Sequence, residues 1–240
     1  MRAEQTNDPN CLSYWFPKLL RSGVRVPETH VVTTDVQLIS ILDGKIPDGH
    51  GELIRRLVEV ADEIGYPCFL RTGQGSGKHE WERTCYLTDR SMIHRHVCAL
   101  VEWSATVDFM GLPMNVWVVR EMLSLRTAFT AFHGFPVNKE RRYFIRDGHV
   151  VCHHSYWPED SIEFYGADKP ENWRQRLAKL NRELPKEVEE LSALAKRVAA
   201  HFDGYWSLDF AQTVDGTWYA IDMAEGDRSF HWPGCENANR

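Results

Sequence analysis

With 240 residues, 43% of them hydrophobic and 26% charged, the chain is long enough to bury a substantial core, and its composition excludes wholesale disorder. A net charge of −6 argues against a protein that coats nucleic acid nonspecifically, a task that usually leaves a basic surplus. No window approaches eighteen consecutive apolar residues, so no membrane span is expected, and the polar N-terminus lacks the apolar core of a signal peptide. The six cysteines, at 11, 68, 85, 98, 152 and 235, include no C-x-x-C pair, and reduced thiols in a cytoplasmic protein are the simplest account.

The first ten residues read as a loosely held tail. Over 11–23, Leu12, Trp15, Phe16, Leu19 and Leu20 recur at helical spacing, with Gly23 as the C-cap. Residues 24–32 read as an extended segment entering a sheet, 35–42 as a short helix, and Pro47-Asp48-Gly49 as a turn. An amphipathic helix over 51–64 ends at Gly65. A strand over 67–71 then enters a glycine-bearing polar loop over 72–80, followed by a returning strand over 84–87 and a helix over 91–101. The apolar run 116–122 reads as a buried strand, and 127–132 as another. Strands over 142–145 and 149–153 flank Asp147-Gly148, a hairpin signal. From 171 to 202 the pattern is helical and Pro185 divides it in two; strands over 205–211 and 217–223 then flank Asp215-Gly216. This order of mixed strands and helices with several hairpins indicates an α+β fold with a largely antiparallel sheet.

Three groups of residues invite chemistry. The first is the stretch from Arg71 through Gly73, Gly75, Ser76 and Gly77 to Lys78: glycines allow backbone N–H groups close to a phosphate, and the two cations supply charge. It is not a Walker A loop, because the spacing is wrong and His79 stands at the hydroxyl position; a mobile hairpin loop is the structural alternative. The second is Asp209 and Asp222 on adjacent expected strands, with Glu225 and Asp227 beyond. Facing carboxylates repel unless a cation lies between them, which suits Mg²⁺, whereas solvent-facing acids are the plainer reading. The third is Glu140-Arg141-Arg142, where alternation puts Arg142 opposite Tyr143 and beside Phe144, in need of an anion if buried; the alternative is an exposed basic turn. A metal site at His94, His96 and Cys98 is disfavoured because a helix would scatter them. His153 and His154 with Tyr156 and Trp157 could line a cleft, and no G-x-S-x-G setting supports a hydrolase triad.

In order, a basic strand and Gly-rich loop, an apolar strand ending in Glu, an E-x-R strand, a long helical segment and two acidic strands resemble the ATP-grasp superfamily over roughly residues 12–234. The stretch F-L-R-T-G-x-x-S-x-K-H-x-W from Phe69 to Trp81 is most similar to the compact R2K-type proteins of phage and bacterial genomes. The resemblance implies two α+β subdomains clamping ATP, over residues 11–120 and 121–240. It also implies Arg71 and Lys78 on the nucleotide phosphates, covered by Gly75, Ser76 and Gly77, and Arg120, Glu121 and Met122 in a linker strand against the nucleotide. Arg142 would face the γ-phosphate or the acceptor, and Asp209 and Asp222 would hold Mg²⁺. The family's closing Glu-x-Asn reads Asp222-Met223-Ala224 here, so Glu225 is the remaining candidate for a third ligand.

The function implied is Mg-ATP-dependent ligation of a carboxylate to an amine through an acyl phosphate, with a small-molecule, amino-acid or peptide acceptor. An ATP-binding assembly partner is the first alternative, with Trp157, Trp173 and Trp232 offering a protein-facing surface. Phosphotransfer to a small molecule, peptide or RNA end is the second. Only about 60 residues precede the loop, too few for the further N-terminal domain that helps many such ligases bind their acceptor.

Overall fold

The computed structural model describes residues 8–107, 111–233 and 235. In chain order the elements are α1 (Leu12–Arg21), β1 (Thr29–Thr33), α2 (His50–Ile64), β2 (Cys68–Thr72), α3 (Trp81–Thr84), β3 (Tyr86–Leu87), α4 (Ile93–Thr106) and β4 (Val116–Glu121). They continue with β5 (Thr127–Ala131), β6 (Phe135–Asn138), β7 (Glu140–Arg146), β8 (His149–Ser155), α5 (Glu159–Tyr165), α6 (Trp173–Asn181), α7 (Pro185–Ala199), β9 (Tyr205–Gln212) and β10 (Trp218–Glu225). The chain divides into two units, one built on Pro27–Met122 with Phe132–Phe135, the other on Asp8–Val26, Leu123–Ala131 and Pro136–Arg240.

The first unit is an antiparallel sheet, order β1-β4-β2-β3, packed with α2 and α4. The apolar run expected at 116–122 becomes β4, an interior strand, and Val116 through Arg120 are all buried. In α2, Leu53, Leu57 and Ala61 recur every four residues and point one stripe at the sheet, where they meet Leu70, Trp117 and Val119. The return after the loop is shorter than expected: residues 81–84 close a helical turn, and only Tyr86 and Leu87 pair with β2.

The second unit is an antiparallel sheet, order β10-β9-β7-β8, with α7 against β7 and β8. Pro185 starts α7 at its first turn, where no backbone N–H is needed, and so separates it from α6 as expected. The first helix belongs to this unit and not to the N-terminal subdomain in which the sequence placed it: Tyr14 stacks on Trp206, with ring centroids 6.1 Å apart. Asn10 is likewise fixed. Its amide donates to Glu225 Oε2 at 2.7 Å and its carbonyl accepts from the Glu225 N–H at 3.0 Å, so the expected tail is ordered from Asp8 onward, while residues 1–7 lie outside the described residues.

Several surface expectations fail for one physical reason, burial of an amphipathic ring. Trp157 and Trp173 are 3% and 4% exposed, too buried for a partner-facing surface. Trp157 donates to the Asn138 carbonyl, and His153 stacks on Tyr143 beside Glu183, so these two rings pack within the unit. The helix through His94, His96 and Cys98 forms as expected and keeps them from converging. No helix among the described residues is long and apolar enough to cross a membrane.

Candidate functional site

In the first unit, β2 delivers Arg71 at a buried position, where its Nε donates to the Thr72 carbonyl at 3.1 Å. The loop that follows is built, not slack. The Thr72 N–H and hydroxyl both donate to the Gly75 carbonyl, the Gly75 N–H returns a bond to the Thr72 hydroxyl, and the Gly73 N–H donates to Val116. A Cβ on Gly75 would stand 2.4 Å from the Trp103 ring, and Gly77 takes a left-handed φ of 59° against the same ring. The Gly75 N–H is thus engaged within the loop, and Trp103 fills the space that a side chain at Gly75 would take.

Lys78 lies over the Phe135 ring, 5.6 Å from its centroid, and His79 stacks on Phe132. Burial pushes the Cys85 thiol up to about 12, against a hydrogen bond from Thr84 and the charges of Lys78 and Arg71. Ser76 is half-buried between Gly75 and Gly77. On β4, Arg120 is buried and donates through Nε to the Thr29 hydroxyl at 3.1 Å. The Glu121 carboxylate accepts from the Glu28 N–H at 3.0 Å, and Met122 follows as the last residue of this stretch. Arg120 and Glu121 thus tie β4 to the segment that opens β1.

In the second unit, three neighbouring strands bring three candidates into line. Arg142 on β7 pairs in register with Asp209 on β9, and Asp209 pairs with Asp222 on β10. Residues in register share a sheet face. A bulge between Ala220 and Asp222 resets the alternation of β10, so that Asp222, not Ile221, meets Asp209. The Arg142 guanidinium grips Asp209 with both arms, Nε to Oδ1 at 2.7 Å and Nη2 to Oδ2 at 2.8 Å, and lies 4.7 Å from the Tyr156 ring. Burial alone would pull its pKa down, but Asp209 outweighs burial and moves it upward.

Arg141 and Arg142, which the sequence also allowed as an exposed basic turn, lie on opposite faces of β7, Arg141 buried and Arg142 half-buried. Arg141 has no exposure: its Nε meets Glu187 Oε1 at 2.5 Å, and its other arms reach the carbonyls of Glu140, Leu180 and Arg182. Lys139 also pairs with Glu187. The sequence reading missed this ion-pair group; its signal was an acid two residues after the proline that starts a helix.

Glu225 does not join the acidic pair. Three residues beyond Asp222, alternation turns it to the other face, opposite Trp206, where Asn10 and Arg228 hold its carboxylate. Asp209 and Asp222, paired in register on one face, offer two hard carboxylate donors of the kind Mg²⁺ takes. A cavity of about 450 Å³ in the same unit is lined by Arg126, Lys139, Arg176, Lys179 and Arg182 beside apolar residues, a cationic concavity no local motif announced.

The family model for the ATP-grasp domain, R2K clade family 3, matches residues 59–237. No curated protein matches the chain in sequence. Among solved structures, C-terminally truncated Cdc123 of Schizosaccharomyces pombe superposes with a TM-score of 0.57 at 12% identity, covering 90% of this chain and 82% of that one. N5-carboxyaminoimidazole synthase of Aspergillus clavatus, solved with ADP and 5-aminoimidazole ribonucleotide, gives 0.51 at 12% identity over 92% of this chain and 45% of its own. A RimK domain ATP-grasp protein of Sphaerobacter thermophilus gives 0.47 at 15%, over 88% of this chain and 57% of its own. The chain therefore spans about half the length of the latter two proteins. Identities this low speak to the fold alone. With three quarters of its length matched by the family model, and with the α+β fold of its structural neighbours, the chain belongs to the ATP-grasp domain family of the R2K clade.

Proposed function

We propose that the chain binds ATP with Mg²⁺ and uses it to join a carboxylate to an amine through an acyl phosphate. The observation that carries this reading is the line Arg142–Asp209–Asp222 across three neighbouring strands of the second unit. When bound there, Mg²⁺ would offset negative charge on phosphate oxygens. Asp209 and Asp222 would hold the ion, and Arg142, released from one arm of Asp209, would turn a charge toward the transferring phosphoryl group. Arg71 and Lys78 neutralise phosphate oxygens, and Arg120, Glu121 and Met122 flank the nucleotide. The substrate carboxylate attacks the γ-phosphorus and ADP leaves. The amine then attacks the acyl carbon and phosphate leaves, so positioning carries most of the chemistry. The cationic cavity favours an acceptor that carries an acid group, an amino acid or peptide. The reading places the protein in the cytoplasm, where ATP is supplied.

The test is release of ADP and phosphate from ATP and Mg²⁺ with a panel of amino acids and peptides, in the parent chain and in Asp209→Asn. Acceptor-stimulated release of both, at least ~100-fold lower in the variant, supports ligation. Phosphate retained on the acceptor would identify a phosphotransferase. ATP bound without any ADP formed would identify an ATP-binding assembly partner instead. Turnover unchanged in Asp209→Asn would remove the metal assignment.

A further inference from the structure

On the edge of the second unit's sheet, outside the line of Arg142, Asp209 and Asp222, three soft ligands far apart in sequence converge. Cys152 stands on β8 in register with Phe144 of β7. The His231 ring stacks on Phe144 with centroids 3.9 Å apart, and its Nε2 lies 3.3 Å from Cys152 Sγ. Cys235 completes the group, and the three ligand atoms all lie within 4.8 Å of one another. Among the described residues this is the one group of three or more His, Cys, Asp or Glu side chains so disposed. Ligand atoms around a tetrahedral zinc, with Zn–S near 2.3 Å and Zn–N near 2.0–2.1 Å, stand roughly 3.5–3.8 Å apart, so a small contraction closes this set on an ion.

A second observation points to the same place. His154, 9% exposed, has Nδ1 2.8 Å from the Ser155 carbonyl, which can only accept. Nδ1 therefore carries the hydrogen, and in the neutral ring the lone pair is on Nε2, which is buried with no hydrogen-bond partner. Its ring packs against both His231 and Trp232, at 5.4 and 5.9 Å. His231 Nδ1, Trp232 Nε1 and Tyr205 Oη in the same cluster are also buried without partners. Native interiors rarely leave several polar atoms unsatisfied together, and a coordinated ion with its water is a standard resolution.

We propose that Cys152, His231 and Cys235 bind one Zn²⁺, with water in the fourth position beside His154. Two thiolates and an imidazole select zinc over the hard ion suited to Asp209 and Asp222. Each thiol gives its proton to solvent on binding. The ion pins His231 and Cys235 to β8. The Phe230 carbonyl, next to His231, accepts from Arg142 Nη1 at 3.4 Å, so the metal steadies a contact of the proposed catalytic arginine. The site is independent of the ATP reading, and its test does not use activity.

The full-length chain, reduced, stripped of metal and kept under inert gas, is titrated with Co²⁺ and then with Zn²⁺. One equivalent of Co²⁺ bound with thiolate-to-cobalt charge transfer and the visible bands of a tetrahedral ion, displaced by one equivalent of Zn²⁺, is the expected result. Cys152→Ser and Cys235→Ser each diminish the charge-transfer band and weaken Zn²⁺ binding by more than about tenfold, whereas Cys98→Ser leaves both unchanged. Since ligand removal could unfold the segment, His231→Cys, which restores a thiolate ligand, serves as the second variant and retains tight Zn²⁺ binding. Absent charge transfer, equal loss in Cys98→Ser, or a Cys152–Cys235 disulfide in a chain that takes up no metal after reduction would overturn the site.

Discussion

A guanidinium wholly removed from water is tolerable only where every arm finds an acceptor, and Arg141 meets that demand with Glu187 and three main-chain carbonyls. Two of those carbonyls, Leu180 in the last turn of α6 and Arg182 just beyond it, let one side chain fasten the end of that helix to β7. Arg141→Ala strands Glu187 with Lys139 as its remaining cation and leaves the carbonyls without a donor. We expect a loss of about 3–5 kcal/mol in urea unfolding. The double change Arg141→Met with Glu187→Met should recover most of it, because no buried charge is left behind. Equal loss in the single and double variants would show that packing, not charge, is what Arg141 supplies. Arg142, one residue on, faces the opposite side and holds Asp209. The E-R-R run could be read for alternation but not for burial, because the acids that make both arginines tolerable lie 46 and 67 residues away.

The loop between β2 and α3 was the clearest signal in the sequence, and its glycines carry a packing task that the motif did not show. A motif reads glycine as an invitation to a ligand, whereas the first unit uses Gly75 and Gly77 to admit the Trp103 ring of α4. Nothing local to residues 71–78 could have announced a tryptophan 28 positions downstream of Gly75. Gly75→Ala should therefore destabilise the first unit by about 1–3 kcal/mol through overpacking. Trp103→Phe, which vacates part of the space, should make the glycine substitution cheaper in the double variant than in the parent background, a coupling that thermal melts can resolve. Strict additivity would mean that the backbone relaxes away from the ring. The bulge at Ile221 is the counterpart on β10: the Asp222–Asp209 pairing was readable from the hairpin, but the one-residue reset that produces it was not. Alternation counted on from Asp222 does exclude Glu225, which the sequence reading had kept as a ligand.

At the scale of the whole chain, element type and order were legible because amphipathic periods and turn dipeptides are local properties. The antiparallel sheets, the split at Pro185 and the two acidic strands follow from them. What was not legible depends on which distant segments meet. Residues 8–26 join the C-terminal unit through Tyr14 and Asn10, and Cys152, His231 and Cys235 gather from positions up to 83 residues apart. Family membership narrows the chemistry to an ATP-grasp domain and leaves the bond that it makes to experiment.

The central proposal is that this chain binds Mg-ATP, and calorimetric titration of the full chain with ATP tests it directly. The account predicts saturable one-to-one binding in Mg²⁺, weakened at least ~tenfold by Lys78→Ala and by chelating the metal, with Asp222→Asn reducing the dependence on Mg²⁺. No heat of binding, or binding that is indifferent to both Mg²⁺ and these substitutions, would contradict it.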